Sequence, residues 1–300
     1  MIDYHVHLWP HSERADGREL ALDRITRYTE LAARSGVREI ALTEHFFRFV
    51  QARALVEGWW DRVPEPGGRP FRAQARAYFD HHATQDLDRF VNAALEAKTA
   101  GLPVVIGLEV DYYPGRMDEV SALLAGYPFD VLLGSVHWIG NWMFDDLSNA
   151  VQVGEWDRRP VADSWRAYTE ALEELAGTAS CDVLAHPDLV KVAARIPDRG
   201  VVHECEVRIA EAAAASGMAA EISSAGATKP CREDYPSPSL LSLFASRRVP
   251  VTFASDTHGT SRVADRNAEL VRAATDAGYT AVRRFRGRRP VDTELAGVPE

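Results

Sequence analysis

Cysteine is scarce in this chain of 300 residues. The three cysteines, Cys181, Cys205 and Cys231, are an odd number, and no two of them form a Cys-x-x-Cys pair. A disulfide framework needs paired cysteines, and a cysteine zinc site needs closely spaced thiolates. The sequence therefore argues against both kinds of site and is typical of a protein from a reducing cytoplasm.

Long apolar runs are absent as well. No run approaches the roughly 18 consecutive apolar residues that a membrane-spanning helix needs. The chain opens with Met1-Ile2-Asp3-Tyr4 instead of a basic region followed by an apolar stretch. We therefore expect a soluble, unsecreted, cytoplasmic protein with no membrane partner.

Positive charge is in deficit, because 34 Lys and Arg residues face 44 Asp and Glu residues and the formal net charge is -10. Nucleic-acid binders usually present concentrated positive charge, so we expect no nucleic-acid partner. An acidic chain can still bind a small anion if bound cations supply the local positive charge.

Apolar side chains are abundant, at 46% hydrophobic against 26% charged, which excludes a mainly disordered protein and predicts a sizeable core. The length predicts one large domain or two small ones. Short apolar runs predict buried strands over residues 2–6, 37–42, 104–108, 131–136, 183–185, 218–222 and 249–254. Alanine-rich stretches of helical period predict helices over residues 19–35, 88–100, 117–125, 163–176, 199–216, 237–247 and 262–277.

Glycine follows six of these predicted helices, at Gly36, Gly101, Gly126, Gly177, Gly217 and Gly278. A left-handed residue at such a position would end the helix just before the next strand. The resulting alternation of strand and helix predicts an α/β protein. About seven such units favour a parallel β/α barrel over an open doubly wound sheet, although the strand number alone leaves the open sheet as an alternative.

One stretch, residues 46–86, interrupts this alternation because it contains no predicted strand. It includes Trp59-Trp60 and a segment rich in proline and glycine at residues 64–70. A connection of this length inside a compact domain is usually a functional loop. We predict a lid over the site, the alternatives being a poorly ordered insertion or a surface packing patch.

Chemically active side chains lie at the ends of the predicted strands. They are His5, His7, His45, Glu109, Asp111, His137, His186, Asp188, Asp256 and His258. In a β/α barrel these strand ends converge on one mouth, and imidazole nitrogens and carboxylate oxygens are the usual protein ligands of zinc, iron and manganese. A single histidine at a strand end is more often an ordinary hydrogen-bonded residue, but six strand ends that all carry His, Asp or Glu predict a metal cluster. The remaining histidines, for which we predict no role, are His11, His81, His82 and His203.

In their order along the chain these motifs resemble those of the polymerase-and-histidinol-phosphatase (PHP) superfamily. The motifs are His5-x-His7, Thr43-Glu44-His45, Gly107-Leu108-Glu109-x-Asp111, Gly134-Ser135-Val136-His137, His186-Pro187-Asp188 and Ser255-Asp256-Thr257-His258. The segments at residues 127–140, 224–226 and 235–238 resemble the stand-alone histidinol-phosphatase branch. Ser223-Ser224 and Thr228-Lys229 depart from that branch on the substrate side.

The resemblance implies a distorted (β/α)7 barrel, a single domain over residues 1–300, with three divalent ions of zinc, iron or manganese in its mouth. It implies a first ion held by His5, His7, Glu109 and Asp256, a second held by Glu109, His137 and His186, and a third held by His45, His258 and a ligand from the loop after His7. Counting along that loop favours Glu13 as the last ligand, with His11 and Asp16 as the alternatives.

The implied activity is metal-dependent phosphomonoester hydrolysis, with L-histidinol phosphate of histidine biosynthesis as the expected small phosphorylated substrate. The predicted catalytic residues are Asp256, His258 and Asp188, and the predicted phosphate-binding residues are Lys229, Arg232 and Lys191. Three alternatives are a phosphatase for another small phosphate ester, a non-catalytic PHP module that binds metal or a protein partner, and an amidohydrolase. The amidohydrolase would typically need a metal-bridging lysine at a strand end, and the sequence places none there.

Overall fold

Seven parallel strands organise the chain. The computed structural model describes residues 1–10, 21–63 and 71–295. The strands are β1 (Asp3–Val6), β2 (Ile40–Leu42), β3 (Val104–Asp111), β4 (Val131–Ser135), β7 (Val183–Leu184), β8 (Ala219–Ser223) and β9 (Val251–Ala254). They pair in the order β1-β2-β3-β4-β7-β8-β9, and every pairing is parallel. Each predicted apolar run overlaps one of these strands.

The first and last strands of the sheet approach each other and nearly close it into a barrel. Val6 forms a parallel bridge with Thr257, and the His7 backbone N–H donates to the Thr257 carbonyl at 2.9 Å. The buried Asp3 carboxylate strengthens the junction, because it accepts hydrogen bonds from the Ser255 N–H at 2.8 Å, the Ser255 hydroxyl at 2.6 Å and the Ala264 N–H at 2.9 Å. The predicted seven-stranded β/α barrel is therefore confirmed, and the open sheet is excluded.

Seven long helices alternate with the strands. They are α1 (Leu22–Arg34), α5 (Leu87–Thr99), α6 (Met117–Leu124), α8 (Val161–Gly177), α9 (Arg199–Ser216), α10 (Pro238–Ser246) and α11 (Asn267–Asp276). Helix α1 shows why they pack on the barrel, since its buried residues Ile25, Tyr28, Thr29 and Ala32 recur at helical spacing along one face. No helix in the described ranges is long and apolar enough to cross a membrane.

The predicted helix-ending glycines are confirmed at four of the six positions. Gly36, Gly101, Gly217 and Gly278 have left-handed backbone angles, with φ of 77°, 83°, 73° and 97°. The prediction is wrong for Gly126 and for Gly177, which is the last residue of α8. The left-handed residue near the end of α8 is Ala179, with φ of 53°.

The interrupting stretch is helical, with α2 (Val50–Val56), α3 (Trp59–Arg62) and α4 (Phe71–His82). Trp59 and Trp60 are buried, and their rings pack among aromatic side chains, with centroids 5.7 Å from Trp138 for Trp59 and 5.7 Å from Phe79 for Trp60. This packing is not that of a solvent-exposed patch. Residues 64–70 lie outside the described residues, and lid closure stays a prediction.

Five further elements were not predicted from the sequence. They are the hairpin of β5 (Trp138–Ile139) and β6 (Trp142–Met143), helix α7 (Ala150–Glu155), and the terminal hairpin of β10 (Ala281–Arg286) and β11 (Arg289–Glu294). The terminal hairpin is bound to the barrel through Glu39, which pairs with Arg284 at 2.6 Å and with Arg286. It also contacts β1, because the Phe285 N–H donates to the Tyr4 hydroxyl at 3.3 Å.

The junction between β1 and β9 generates a stability prediction. Asp3→Ala leaves the buried N–H donors of Ser255 and Ala264 without their acceptor, and each unsatisfied donor costs about 1–3 kcal/mol. We expect the free energy of unfolding, measured by urea denaturation, to fall by about 2 kcal/mol or more. Asp276→Ala, at an exposed site on α11, is the matched control and should change it by less than about 0.5 kcal/mol. Equal stability of the two variants would contradict the role given to Asp3.

Candidate metal centre

The carboxyl ends of the barrel strands place the predicted ligands around one cavity. The ligands lie within or just after β1, β2, β3, β4, β7 and β9, and parallel strands present these ends at the same edge. The cavity has a volume of about 300 Å³. We call it the metal cavity, and its lining includes His45, Glu109, His137, His186, Asp256 and His258.

Glu109 lies at the centre of the cluster, and its two carboxylate oxygens face different histidines. Its Oε2 lies 3.3 Å from Nε2 of His5 and 3.5 Å from Nε2 of His7. Its Oε1 lies 3.0 Å from Nε2 of His186 and 3.5 Å from Nε2 of His137. A carboxylate placed in this way can bridge two cations, one bound at each oxygen.

Asp256 completes the first of these groups. Its Oδ1 lies 3.4 Å from Nε2 of His7 and 3.8 Å from Nε2 of His5. Both Asp256 and His186 have positive φ, at 48° and 28°. Such strained residues cluster at functional sites, where the surrounding structure holds them in place. The backbone here is bent to direct the two side chains into the cluster.

A third group lies beside the first one. Nε2 of His45 is 3.2 Å from Nε2 of His258, and the His7 ring stacks on both, with centroid distances of 4.2 Å and 4.1 Å. Ligand atoms of these three histidines lie within 4.8 Å of one another. The structure thus adds His7 to the pair that the resemblance implied, and Nδ1 of His45 also lies 2.5 Å from Oε2 of Glu109.

Two buried carboxylates orient His5 and His137 by contacting Nδ1, the ring nitrogen that faces away from the cluster. Glu221 on β8 lies 2.7 Å from Nδ1 of His5, and Asp111 on β3 lies 2.6 Å from Nδ1 of His137. A hydrogen bond at Nδ1 fixes the tautomer, so that Nε2 presents a lone pair to the cluster. Asp111 lies at a predicted strand end but was given no role from the sequence, and Glu221 was not predicted, although a glutamate inside an otherwise apolar strand was a usable signal.

The charge balance of the cluster keeps its carboxylates ionised. Burial alone would raise the pKa of Glu109, but the charges of His45, His5 and His137 outweigh it and hold that pKa well below its usual range. Burial opposes ionisation of Asp256 in the same way, and His5 and His7 hold its pKa below the usual range. Both side chains therefore offer negatively charged oxygens at neutral pH.

Several ligand atoms lack the partners that a buried polar atom needs. Among the described residues, Nε2 of His5 and Nε2 of His7 are buried and make no hydrogen bond, and Oε2 of Glu109 is surrounded by histidine nitrogens. Leaving such atoms unsatisfied costs about 1–3 kcal/mol each. Cations bound at these nitrogens and oxygens would satisfy them, and the donor set is one that zinc, iron and manganese prefer. The residues present therefore fit divalent metal ions.

The remaining predicted site residues are divided between the cavity and its surroundings. Lys229 lines the metal cavity. Lys191 is 3% exposed, and its ammonium lies 2.8 Å from Asp188 and 2.6 Å from Glu233, so its charge is paired with two carboxylates. Asp188, Lys191 and the exposed Arg232 are not among the described residues that line the cavity. The three candidates for the last ligand, Glu13, His11 and Asp16, lie outside the described residues.

Two polar residues in the lining were missed by the sequence analysis. Arg262 lines the metal cavity and is held by two hydrogen bonds. Its Nη2 donates to Oδ2 of Asp265 at 2.9 Å, and its Nη1 donates to the Thr228 hydroxyl at 2.8 Å. Asp145 follows the β5–β6 hairpin and lines the cavity from that side. Neither residue directly follows a barrel strand, which is why a search of strand ends did not find them.

Comparisons with known proteins give consistent matches. The model of the PHP domain family matches residues 3–225. A protein of Deinococcus radiodurans named "Probable histidinol-phosphatase" is 33% identical over 199 residues, which are 65% of this chain and 73% of that protein. The crystal structure of histidinol phosphate phosphatase from Lactococcus lactis, complexed with zinc, L-histidinol and phosphate, superposes with a TM-score of 0.66 at 19% identity, covering 97% of this chain and 98% of that chain. The hisK protein of Listeria monocytogenes gives a TM-score of 0.66 at 18% identity, covering 90% of this chain and 99% of that chain.

The position of Glu109 generates a prediction about metal content. Glu109→Gln replaces a charged oxygen between two histidine groups with an amide, so we expect purified protein to lose more than one equivalent of metal. Elemental analysis of the variant measures this loss. Glu119→Gln, an exposed position on α6, is the control and should keep the metal content of the unmodified protein. Full stoichiometry in Glu109→Gln would refute the bridging role.

A second prediction concerns the carboxylate behind His137. Asp111→Asn removes the charged acceptor at Nδ1 of His137 without touching the cluster. Loss of such an outer partner typically costs about 10-fold to 100-fold in metal affinity. Competition with a metal chelator should therefore reveal a cation that dissociates more readily from the variant. Unchanged chelator sensitivity would show that Asp111 does not support the ligand.

Proposed function

Because the chain belongs to the PHP domain family, we propose that it is a metal-dependent phosphomonoesterase that converts L-histidinol phosphate to L-histidinol and phosphate. The observation that carries the proposal is the division of the Glu109 oxygens between the histidine pairs His5/His7 and His137/His186. Such a division suits two adjacent cations, which is an arrangement recurrent among phosphatases.

We propose that three divalent cations of zinc, iron or manganese bind in the cavity. His5, His7, Glu109 and Asp256 would hold the first, and Glu109, His137 and His186 would hold the second. His45 and His258 would hold the third, together with a residue of the loop after His7, for which Glu13 is the first choice. Bound there, the cations would lower the pKa of water toward neutrality and neutralise phosphoryl oxygens.

Two basic side chains supply further positive charge at the metal cavity. Lys229 is an exposed residue that lines the metal cavity. Arg262 also lines the cavity, and hydrogen bonds to Asp265 and Thr228 fix the orientation of its guanidinium group. We propose that these two residues bind the phosphate dianion, since a guanidinium matches phosphate oxygens bidentately. Lys191 is engaged by Asp188 and Glu233, which supports a structural role for it instead.

The predicted catalytic residues differ in their access to substrate. Asp256 and His258 line the metal cavity, so we propose that both act at the reaction centre. Oδ2 of Asp188 instead contacts the Lys191 ammonium, at 2.8 Å, and accepts a hydrogen bond from the Ser237 N–H, at 2.7 Å. We therefore propose that Asp188 holds Lys191 and the Ser237 backbone in position.

The proposed activity is tested by phosphate release from a panel of phosphomonoesters that includes L-histidinol phosphate. We expect the metal-loaded protein to release phosphate from L-histidinol phosphate and Glu109→Gln to lower the rate by orders of magnitude, because the bridging carboxylate is lost. The control Glu119→Gln should be fully active. Hydrolysis that survives both Glu109→Gln and a chelator would contradict the proposal, as would a complete absence of phosphate release.

The phosphate-binding residues are tested separately. Lys229→Ala and Arg262→Ala should each raise KM or lower kcat/KM, because each removes a positive charge from the cavity that receives the dianion. Metal content should stay unchanged, which separates these effects from loss of the cluster. Arg232→Ala is the matched control, since its exposed side chain is not part of the cavity lining. Unaltered kinetics in both cavity variants would refute the assignment.

A further inference from the structure

A second cavity lies beside the metal cavity, with a volume of about 530 Å³. We call it the outer pocket. One side is formed by Tyr78, His81 and His82 of α4, and the other by residues that follow the β5–β6 hairpin, including Asp145 and Asp146. Asp145 and Lys229 line both cavities, so the two spaces meet at these side chains. A ligand can therefore extend from the cluster into the outer pocket.

Asp145 has an unsatisfied oxygen at this junction. Its Oδ1 is buried and makes no hydrogen bond to any residue in the described part of the chain. Burial raises the pKa of Asp145, while the positive charges of His137 and Lys229 oppose that rise. A buried carboxylate oxygen without a donor is costly, so the position favours a ligand that brings a donor with it.

The neighbouring residue, Asp146, has a carboxylate that already accepts hydrogen bonds from the protein. Asp146 accepts hydrogen bonds from the Ser148 hydroxyl at 2.7 Å and from the Ser148 N–H at 3.1 Å. These contacts fix its orientation inside the loop and use one of its oxygens. Asp146 therefore adds negative charge to the outer pocket, whereas Asp145 offers an open acceptor where the two cavities meet.

The rest of the outer pocket suits an organic group more than a solvated ion. The Tyr78 and His82 rings lie in contact, with centroids 4.3 Å apart, and Met143 and Leu147 add apolar surface opposite them. Pockets that combine aromatic and apolar walls with a few polar groups typically bind small organic molecules. Aromatic faces next to carboxylates also favour a positively charged organic group.

From this arrangement we infer that Asp145 selects the leaving group by accepting a hydrogen bond from an ammonium group on the alcohol part of the phosphate ester. The inference rests on the proposed function. It predicts that the site prefers phosphate esters of amino alcohols, of which L-histidinol phosphate is one, over esters that lack the amine. The dianionic phosphate would lie toward the cluster and Lys229, and the ammonium would lie toward Asp145. The remainder of the alcohol would occupy the outer pocket.

The test uses two esters that differ only in the amine, L-histidinol phosphate and 3-(imidazol-4-yl)propyl phosphate. A hydrogen bond between charged groups predicts that the metal-loaded protein prefers the amine-bearing ester in kcat/KM by about 10-fold to 100-fold. In Asp145→Asn that preference should collapse, because kcat/KM falls for the amine-bearing ester and stays nearly constant for the other. Asp276→Asn, at an exposed position on α11, is the control and should retain the preference.

Calorimetry supplies a readout that does not depend on turnover. L-Histidinol should bind the metal-loaded Asp145→Asn variant about 10-fold or more weakly than the unmodified protein, at unchanged metal content. Equal loss of kcat for both esters would overturn the inference in favour of proton transfer by Asp145. A lowered metal content would overturn it in favour of a metal ligand.

Failure of the inference and failure of the proposed function give different results. If the unmodified protein hydrolyses both esters equally well, and Asp145→Asn does the same, the inference is wrong and the phosphatase activity stands. If the metal-loaded protein releases phosphate from neither ester, the proposed function is wrong. In that case L-histidinol that binds the unmodified protein and Asp145→Asn equally well would also overturn the inference.

Discussion

The structure depends on a carboxylate that is shared between two sets of imidazoles. Glu109 is buried inside the barrel, where an isolated charge would be prohibitively costly, and it stays ionised because histidines surround it on both sides. Those histidines come from β1 and from the segments that follow β2, β4 and β7, so the charge requires the barrel to bring these strands together. The same shared carboxylate makes the cavity suitable for adjacent cations. The fold, the electrostatics and the proposed chemistry therefore all depend on Glu109.

The parts of the fold that were predictable from the sequence follow from simple physical rules. A parallel strand covered on both faces must be apolar, so the seven runs could be recognised without any knowledge of their partners. The short hairpins could not, because β5 and β6 contain only two residues each and carry no usable periodicity. Helix ends were less predictable, as Gly177 shows, because a glycine that follows a helical pattern can also be accommodated within the helix.

The candidate site likewise has residues that could be predicted from the sequence and residues that could not. Ligands at strand ends were predictable because barrel topology gathers all such ends, whatever their separation in sequence. Asp145 and Arg262 were not, because their approach to the metal cavity depends on the path of loops that no periodic pattern describes. The prediction that Lys191 binds phosphate fails for a different reason. It follows a strand that carries a ligand, yet the nearby Asp188 and Glu233 pair with its ammonium in the interior.

The junction between β1 and β9 has a consequence for the way the molecule is made. His5 and His7 are synthesised roughly 250 residues before Asp256 and His258, and Asp3 joins these two parts of the chain through Ser255 and Ala264. Translation adds about 5–20 residues each second, so the early histidines wait for many seconds without their partners. A chain that stops before Asp256 can neither close the barrel nor assemble the complete set of ligands. The complete set of candidate ligands therefore cannot assemble until Asp256 and His258 have been synthesised, and a product that stops earlier lacks both of these side chains.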